Sequence, residues 1–549
     1  MERINIAGAG LAGLSAALTL AEHNVECNLI SVQPSERAQS VLAQGGMNAA
    51  LDTMGEGDAP SFHFEDTMKG GVYLADPNAV KGLTDAAPHI IRRLHAIGVP
   101  FQMKGNDLLL RPFGGQKKKR TAYVMSSTGK VVMTALIDEV RKFEAAGRIH
   151  RYSHMEVQEP VIKEGRITGL LARDTYTGAT VWFPGKVILC CGGMNGFFPG
   201  MTTGTTANTG DLTAALFARG VRMGNLEMLQ YHPTTVAISG KRLLISEAAR
   251  GEGGRLFIER AASSGKENWY FMEEKYPELG NLMPRDVVSR EMYNVVRSPV
   301  CGDQVFLDLR HLKPETWNGK LADLRKEVIR YLKIDPAQKP VPVSPGIHFF
   351  MGGILVDAHH RTSLPDLWAA GECACQYHGA NRLGGNSMLA AVYGGHIAAE
   401  DAAGTVSPAC SSPAEPQQWK RGAEPDPSYG ISPGFIRRMT EILDHGLGIF
   451  RDEETLQNSL SELMKLAAEE RTEAEKNRLR VGKAILLSAL YRKESRGAHS
   501  RTDHPERDDE RFRKTTVAEC KGDEVRIFFE EIPEPAESSA GIEKMKESG

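Results

Sequence analysis

The chain opens on a pattern that few folds accommodate: a four-residue apolar run, Ile4–Ala7, then Gly8-Ala9-Gly10-Leu11-Ala12-Gly13, then an alanine- and leucine-rich stretch through about Glu22. A strand that enters a glycine turn and leaves as a helix begins a dinucleotide-binding β-α-β unit, which a second strand at residues 25–32 completes. The three glycines have separate tasks. Gly8 lets the turn tighten, Gly10 lets the backbone approach a pyrophosphate, and Gly13 lets the helix pack on the strand. The helix N-terminus offers free N–H groups and the positive end of its dipole to phosphate. These first residues already belong to a fold, so they are not read as a targeting segment.

A chain of 549 residues is too long for one core, and two to four domains are expected. Apolar residues 186–191 run into Gly192-Gly193, and Leu367-Trp368-Ala369-Ala370 run into Gly371-Glu372. Both look like further strands of the nucleotide domain, which is then assembled from residues 1–227 and 349–403. Mixed segments with charged loops fill 228–348, as an inserted second domain would. Proline-rich 404–433 reads as a linker, and helical periodicity from 435 to 492 places a two- or three-helix unit at 434–500. Residues 501–549 form a C-terminal segment whose acidic tail, after Pro533, reads as disordered. The expected class is α/β: a Rossmann-like dinucleotide-binding domain, an inserted α+β domain and a C-terminal helical domain.

Composition excludes several alternatives. A net charge of -3 gives no attraction to nucleic acid, and the basic run Lys117-Lys118-Lys119-Arg120 is solitary. The eight cysteines include no Cys-x-x-Cys and no Cys-x-x-Cys-His, so no iron–sulfur cluster, haem or other metal of the chain's own is expected. That usage fits a reducing, cytoplasmic setting. No apolar stretch approaches the roughly 20 residues of a membrane span.

Between FAD and NAD the second strand is uninformative, because Ser31 stands where a ribose-binding acid is usual. The distant return of Gly371-Glu372 and Asn386-Ser387-Met388 toward the nucleotide domain favours FAD.

Further along, several segments resemble, in order, the flavoprotein subunits of succinate dehydrogenase and fumarate reductase, with the L-aspartate oxidases as relatives of the same fold. They are Ala43-Gln44-Gly45-Gly46, RPFGGQ (111–116), TANTGD (206–211), YHP (231–233), SEAARGEGGRL (246–256), PRDVVSR (284–290), HFFMGG (348–353), YHGANRLGGNS (377–387) and RKESRGAH (492–499). The resemblance implies FAD contacts from Gly8 to Gly13, from Ser31, Gln39, Ser40 and Ala43 to Gly46, and from Asp211, Glu372, Ser387 and Met388. It also implies that the nucleotide domain is FAD-binding, that the inserted α+β domain is a capping domain over the flavin, and that a dicarboxylate is held between the two.

Turning C=C into CH–CH needs a hydride on one carbon and a proton on the other, with both carboxylates fixed. The resemblance assigns the carboxylate clamps to His232, Ser246, His348 and Arg382, with Phe113 nearby. It makes Arg285 the proton donor, fed by Glu247 and Arg250, while Asp286 is expected to hold Arg285 by an ion pair. Arginine stays protonated in proteins, so such an acid must be recharged at once.

Two departures stand out. Gln39 occupies the place of the family's FAD-linking histidine, so FAD is expected to be noncovalent and the enzyme biased toward fumarate reduction. Thr128-Gly129-Lys130 replaces the Thr-Gly-His of many succinate dehydrogenases. The rival reading is L-aspartate oxidase, which carries an acid near Phe113; a reductase of another unsaturated acid and a non-catalytic electron-transfer or assembly flavoprotein are further alternatives. With no electron carrier of its own, the chain is expected to bind an iron–sulfur electron-transfer subunit. Should that partner carry a membrane anchor, this chain would lie peripherally on the cytoplasmic face.

Overall fold

The computed structural model describes residues 3–125, 127–262, 265–406, 415–418 and 430–535. Ile4–Ala7 is the middle strand of a five-stranded parallel sheet, ordered Leu367–Ala369, Val187–Leu189, Ile4–Ala7, Cys27–Ser31 and Ile149–Ser153. Its inner strands are buried and largely apolar because helices cover the sheet, while the edge strand Ile149–Ser153 is half-buried beyond Ile149. The helices Leu11–Glu22, Thr128–Ala145 and Asn386–Gly404 supply that cover.

Close approach explains two of the opening glycines. Gly8 has φ +118°, and a Cβ there would lie 2.1 Å from the Cys190 carbonyl oxygen. A Cβ on Gly13 would lie 1.8 Å from the Gly8 carbonyl oxygen, so only glycine lets the helix seat on its own strand. The parallel order brings the chain just beyond Ala7, Leu189 and Ala369 to one edge, the usual ligand crevice of such sheets.

A four-stranded antiparallel sheet, Met155–Lys163, Arg166–Asp174, Thr180–Pro184 and Gln417–Gln418, flanks this core. Its last strand comes from the proline-rich stretch read as linker; residues 407–414 and 419–429 of that stretch lie outside the described residues.

Leu229–Ile238, Lys241–Leu244, Arg255–Ala262, Gly265–Trp269, Cys301–Asp308 and Val341–Phe350 form a second, six-stranded sheet. Helices Arg285–Val296 and Ala322–Leu332 close its core around Ile258, Leu307 and Leu324. This is the cap over the nucleotide crevice.

Three helices follow: Pro433–Gly446, Glu453–Ala467 and Glu473–Tyr491. Ser432, Asp452 and Thr472 cap them, each side chain accepting from the backbone N–H three residues on. The sequence reading missed the hairpin Lys514–Lys521 and Glu524–Glu531, which extends the sheet of Met223–Gly224 and Gly353–Leu355. Thr516, Val517 and Ala518 are buried in succession and only Glu519 separates them from buried Cys520, so the alternation is faint. The acidic tail at 536–549 lies outside the described residues.

A buried charge network ties these parts together. Arg492 Nε donates to Glu227 Oε1 at 2.6 Å, and its Nη1 to Glu494 Oε1 at 2.9 Å. Arg496 Nε donates to Glu494 at 2.7 Å, and Thr516 Oγ1 to Glu227 Oε1 at 2.6 Å. Glu227→Ala strips Arg492 of a buried partner and is expected to cost about 3–5 kcal/mol in urea denaturation; an unchanged midpoint would make the network dispensable.

Candidate active site

Between the parallel sheet and the cap lies a cavity of about 1200 Å³. Gly8, Ala9, Gly10, Leu11 and Ala12 form one wall; Ser31, Gln39, Ser40 and Ala43 to Gly46 form a second; Asp211, Glu372, Ser387 and Met388 also face it. Gly13 does not line it, since its task is the helix–strand contact. The volume and the glycine wall fit a dinucleotide, and Glu372 supplies an acceptor for a hydroxyl. Its carboxylate accepts from the Phe350 N–H at 3.1 Å. Burial raises it to about 7, against the opposing pull of the Phe350 N–H and the Arg382 charge.

Local contacts fix the second wall. Gln39 Oε1 accepts from the Thr205 N–H at 2.7 Å, tying the loop to residues 202–208. Ser31 Oγ donates to the Gln33 carbonyl at 2.8 Å, leaving its lone pairs toward the cavity. Gln44 Nε2 reaches the cap, donating to Glu327 Oε2 at 2.9 Å. Arg478, from the third C-terminal helix, donates to Asp211 Oδ1 at 2.6 Å and to the Gly196 carbonyl at 3.1 Å. The helical unit therefore grips the nucleotide side of the crevice.

His232, Ser246, Glu247, Arg285, His348, Arg382 and Phe113 face the same cavity, although they are spread over 270 positions (113 to 382). Glu247 and Arg285 are a buried pair, with Arg285 Nε donating to Glu247 Oε2 at 2.9 Å. Arg250 stands behind Glu247, with Nη2 at 3.6 Å from Oε1, and donates to the Asn281 carbonyl at 2.7 Å. Burial pushes the Glu247 carboxyl up, but Arg285, Arg250 and Arg382 outweigh it and hold Glu247 ionised, below its usual range.

Asp286 does not hold Arg285. Adjacent residues on a helix point about 100° apart. Asp286 instead meets Arg290, one turn on in Arg285–Val296, at 3.1 Å. Gln230, which the sequence reading passed over, does the positioning: its Oε1 accepts from Arg285 Nη1 at 3.0 Å, and its Nε2 donates to the Arg382 carbonyl at 2.9 Å.

The two histidine rings sit edge to face, with centroids 5.1 Å apart. Burial, then Arg285 and further cationic neighbours, pushes both imidazoles well below their usual range, so both are neutral near pH 7. The Thr234 N–H donates to His232 Nδ1 at 3.3 Å, which puts the ring proton on Nε2. Thr203 Oγ1 lies 2.7 Å from His348 Nδ1. The Ser246 oxygen accepts weakly from the Ala248 N–H at 3.3 Å, so its hydroxyl proton is free to donate.

Arg382 is the electrostatic anomaly. The residue is 3% exposed, its guanidinium carbon lies 4.4 Å from the Phe349 ring centroid, and its Nε has no hydrogen-bond partner among the described residues. Burial and Arg285 press its charge down, with only Glu247 and Glu372 opposing. A buried cation in this condition calls for an anion. Arg111 is another group the sequence reading overlooked: it donates to the Gln44 carbonyl at 3.2 Å and stacks 4.2 Å from the Tyr123 centroid. Lys130, from the Thr128-Gly129-Lys130 departure, lines the same cavity, as do Glu156 and Val157, which no motif announced.

A dinucleotide crevice roofed by a second domain, with arginines and neutral histidines in the same cavity, defines a flavin-type oxidoreductase. Comparison with known proteins agrees. Residues 4–388 match the FAD binding domain family, and residues 471–538 match the fumarate reductase flavoprotein C-terminal family. The succinate dehydrogenase flavoprotein subunit of Bacillus subtilis is 35% identical over 94% of this chain and 93% of its own length. The L-aspartate oxidase of Streptomyces coelicolor is 32% identical over 96% of this chain and 93% of its own. Among solved structures, the FrdA chain of E. coli quinol fumarate reductase superposes with a TM-score of 0.84 at 28% identity, covering 98% of this chain and 99% of that one. The chain belongs to the family of succinate dehydrogenase and fumarate reductase flavoprotein subunits, which are FAD-dependent oxidoreductases. No helix among the described residues is long and apolar enough to cross a membrane.

The raised Glu372 carboxyl makes cofactor affinity depend on pH. Were Glu372 to hold a hydroxyl of the bound flavin chain, that hydroxyl would donate to the carboxylate form, and binding would expel a proton while Glu372 is protonated. FAD affinity of the flavin-free protein, measured by fluorescence quenching, is expected to strengthen as pH rises through about 7. Glu372→Gln should flatten the profile; an unaltered slope would move the linkage to another group.

Proposed function

We propose that the chain interconverts fumarate and succinate on noncovalently held FAD and works mainly toward fumarate reduction. The observation that carries this is Arg382, a buried cation that makes no salt bridge among the described residues and whose Nε lacks a hydrogen-bond partner there, in one cavity with the Glu247–Arg285 pair and two neutral histidines. Two cationic or N–H-donating ends suit a short dicarboxylate. Arg382 takes one carboxylate with its planar fork. His232, Ser246 and His348 hold the other by N–H and O–H donation.

Bound along the glycine wall, FAD supplies the two-electron chemistry by giving or taking a hydride at N5. The chain's own residues handle the proton. Arg285 donates it to the carbon that the hydride does not reach, and Gln230 and Glu247 aim the guanidinium. A neutral guanidine beside ionised Glu247 is unfavourable, so Arg285 regains a proton through Glu247 with Arg250 behind it. Because both histidines are neutral, neither competes as the acid.

The noncovalent reading rests on Gln39, which cannot form a histidyl link and whose amide oxygen is engaged by the Thr205 N–H. Without that link the flavin is a stronger reductant, hence the direction. Electrons arrive from an iron–sulfur subunit, and any membrane attachment comes through such partners. The E. coli neighbour is a quinol fumarate reductase, which supports this arrangement. L-aspartate oxidation is the second reading, on the Streptomyces relative. Phe113, 2% exposed against Gly45, offers no acid for a substrate amine and favours the unsubstituted dicarboxylate.

Acid precipitation should release FAD, and reduced viologen should be oxidised rapidly by fumarate, faster than succinate is oxidised. Flavin retained by the pellet would refute noncovalent binding; succinate oxidation outrunning fumarate reduction would refute the direction. Peroxide and iminoaspartate from L-aspartate would transfer the assignment to the oxidase. Arg285→Gln should lower kcat by about 10²–10⁴-fold while FAD content stays at wild-type level. Retained turnover would show that another group donates the proton.

A further inference from the structure

Because Arg382 makes no salt bridge among the described residues, the direction of its guanidinium is set by the backbone that carries it. Gln230 holds that backbone on one side: its Nε2 donates to Asn381 Oδ1 at 2.8 Å and to the Arg382 carbonyl at 2.9 Å. On the other side, residues 383–385 turn into the helix Asn386–Gly404. The residue that grips this turn lies 336 positions away from it in the chain.

That residue is Asn48, buried two positions beyond the Gly45-Gly46 wall of the crevice. Its strand, Met47–Asn48, pairs with Thr121–Ala122 and so belongs to that wall. Asn48 Nδ2 donates to the Gly384 carbonyl at 2.7 Å and to Asn386 Oδ1 at 2.7 Å. Its backbone N–H donates to the Gly385 carbonyl at 3.1 Å. One asparagine thus holds three successive residues. Its own Oδ1 accepts from Thr121 Oγ1 at 2.7 Å. The chain of bonds runs on: Asn386 Oδ1 also accepts from His63 Nε2 at 2.9 Å, and Asn386 Nδ2 donates to Thr67 Oγ1 at 2.9 Å. A buried polar network satisfied in one direction specifies a single geometry. Gly385 has φ +85°, and a Cβ there would lie 2.2 Å from Asn48 Oδ1, so the amide takes the room a side chain would need.

We propose that Asn48 positions Arg382: by locking residues 384–386 to the cofactor wall, it fixes the point from which the guanidinium reaches a carboxylate. This rests on the reading above that Arg382 takes one carboxylate of the substrate. Hydride and proton transfer need the double bond in line with both donors, so the arginine that anchors the substrate must hold a set distance from the flavin wall. Asn48 belongs to the wall and grips the arginine's turn, which makes that distance a property of one side chain.

The cofactor contacts have an anchor of their own. The helix Asn386–Gly404 packs on Leu11–Glu22 so closely that a Cβ on Gly395 would lie 2.2 Å from the Ala12 carbonyl oxygen. Ser387 and Met388, in its first turn, keep their place when the Asn48 amide is removed. Arg382, ahead of the turn, loses its brace. The removal is also mild: the Gly384 carbonyl still accepts from Gln116 Nε2 at 2.8 Å, and Asn386 Oδ1 still has His63.

The test uses the full-length, FAD-loaded protein and malonate, a saturated diacid that cannot be reduced, with binding followed by the change in the flavin spectrum. In Asn48→Ala the malonate Kd and the fumarate KM are each expected to rise about tenfold. The value of kcat should stay within about threefold of wild type, the signature of lost binding rather than lost chemistry. FAD content and the spectrum of the unliganded flavin should be those of wild type. An unchanged malonate Kd overturns the proposal, and so does a loss of FAD content in step with kcat, which marks a purely structural role. Should Asn48→Ala fail to fold, Thr121→Val carries the test: it keeps the amide but frees its Oδ1, and the malonate Kd is expected to rise about threefold. No rise there overturns the proposal equally. Arg382→Gln separates Asn48 from the reading beneath it. Undiminished malonate binding in Arg382→Gln defeats the carboxylate clamp and the proposal with it; lost binding there beside wild-type binding in Asn48→Ala defeats the role of Asn48 alone.

Discussion

Glu247 is where the two halves of the molecule meet. It enters from the cap, fully buried, and is packed by glycines of the nucleotide domain: a Cβ on Gly114 would lie 2.6 Å from its Oε1, and one on Gly384 3.1 Å from its Oε2. A buried carboxylate survives only with partners, and Arg285 and Arg250 supply them. The pair thus fixes how the cap sits as well as where the guanidinium points. Gly114 and Gly384, in segments far apart in the chain, are small because Glu247 must fit between them.

How far the sequence could be read follows from how local each signal is. The glycine turn was legible because strand, turn and helix are consecutive, and each glycine answers to a contact within it or beside it. The site residues were legible only through family resemblance, since His232, Arg285, His348 and Arg382 come together through tertiary packing that no periodicity encodes. Where spacing alone was trusted it misled: Asp286, next to Arg285, turns to Arg290. Gln230 escaped notice because a neutral amide beside a Tyr-His-Pro motif looks like any strand residue. The C-terminal hairpin was hidden because burial does not alternate along its first strand, where Thr516, Val517 and Ala518 are buried in succession.

The helical unit is more than an appendage. Its three capped helices could stand on local signals alone, yet Arg478 crosses to Asp211 and Thr440 donates to the Phe197 carbonyl at 3.0 Å. Tyr231, one residue before His232, donates through its hydroxyl to the Leu447 carbonyl at 3.0 Å. The strand bearing His232 and the wall bearing Asp211 are thus both braced from the same side. A partner that leans on these helices touches the site through one covalent step and one ion pair.

Arg382 resting on Phe349 carries a consequence for selectivity. Empty, the cavity holds a surplus of fixed positive charge, and any short dianion of the right span neutralises it. Attraction is therefore indiscriminate: unreactive diacids, product and substrate all answer the same deficit. On the proposed mechanism, discrimination would fall to alignment, to whether a double bond could be presented to Arg285 and to the bound cofactor. On the proposed chemistry, unreactive diacids would compete for the same cation, and their departure would bear on turnover as well as the chemistry.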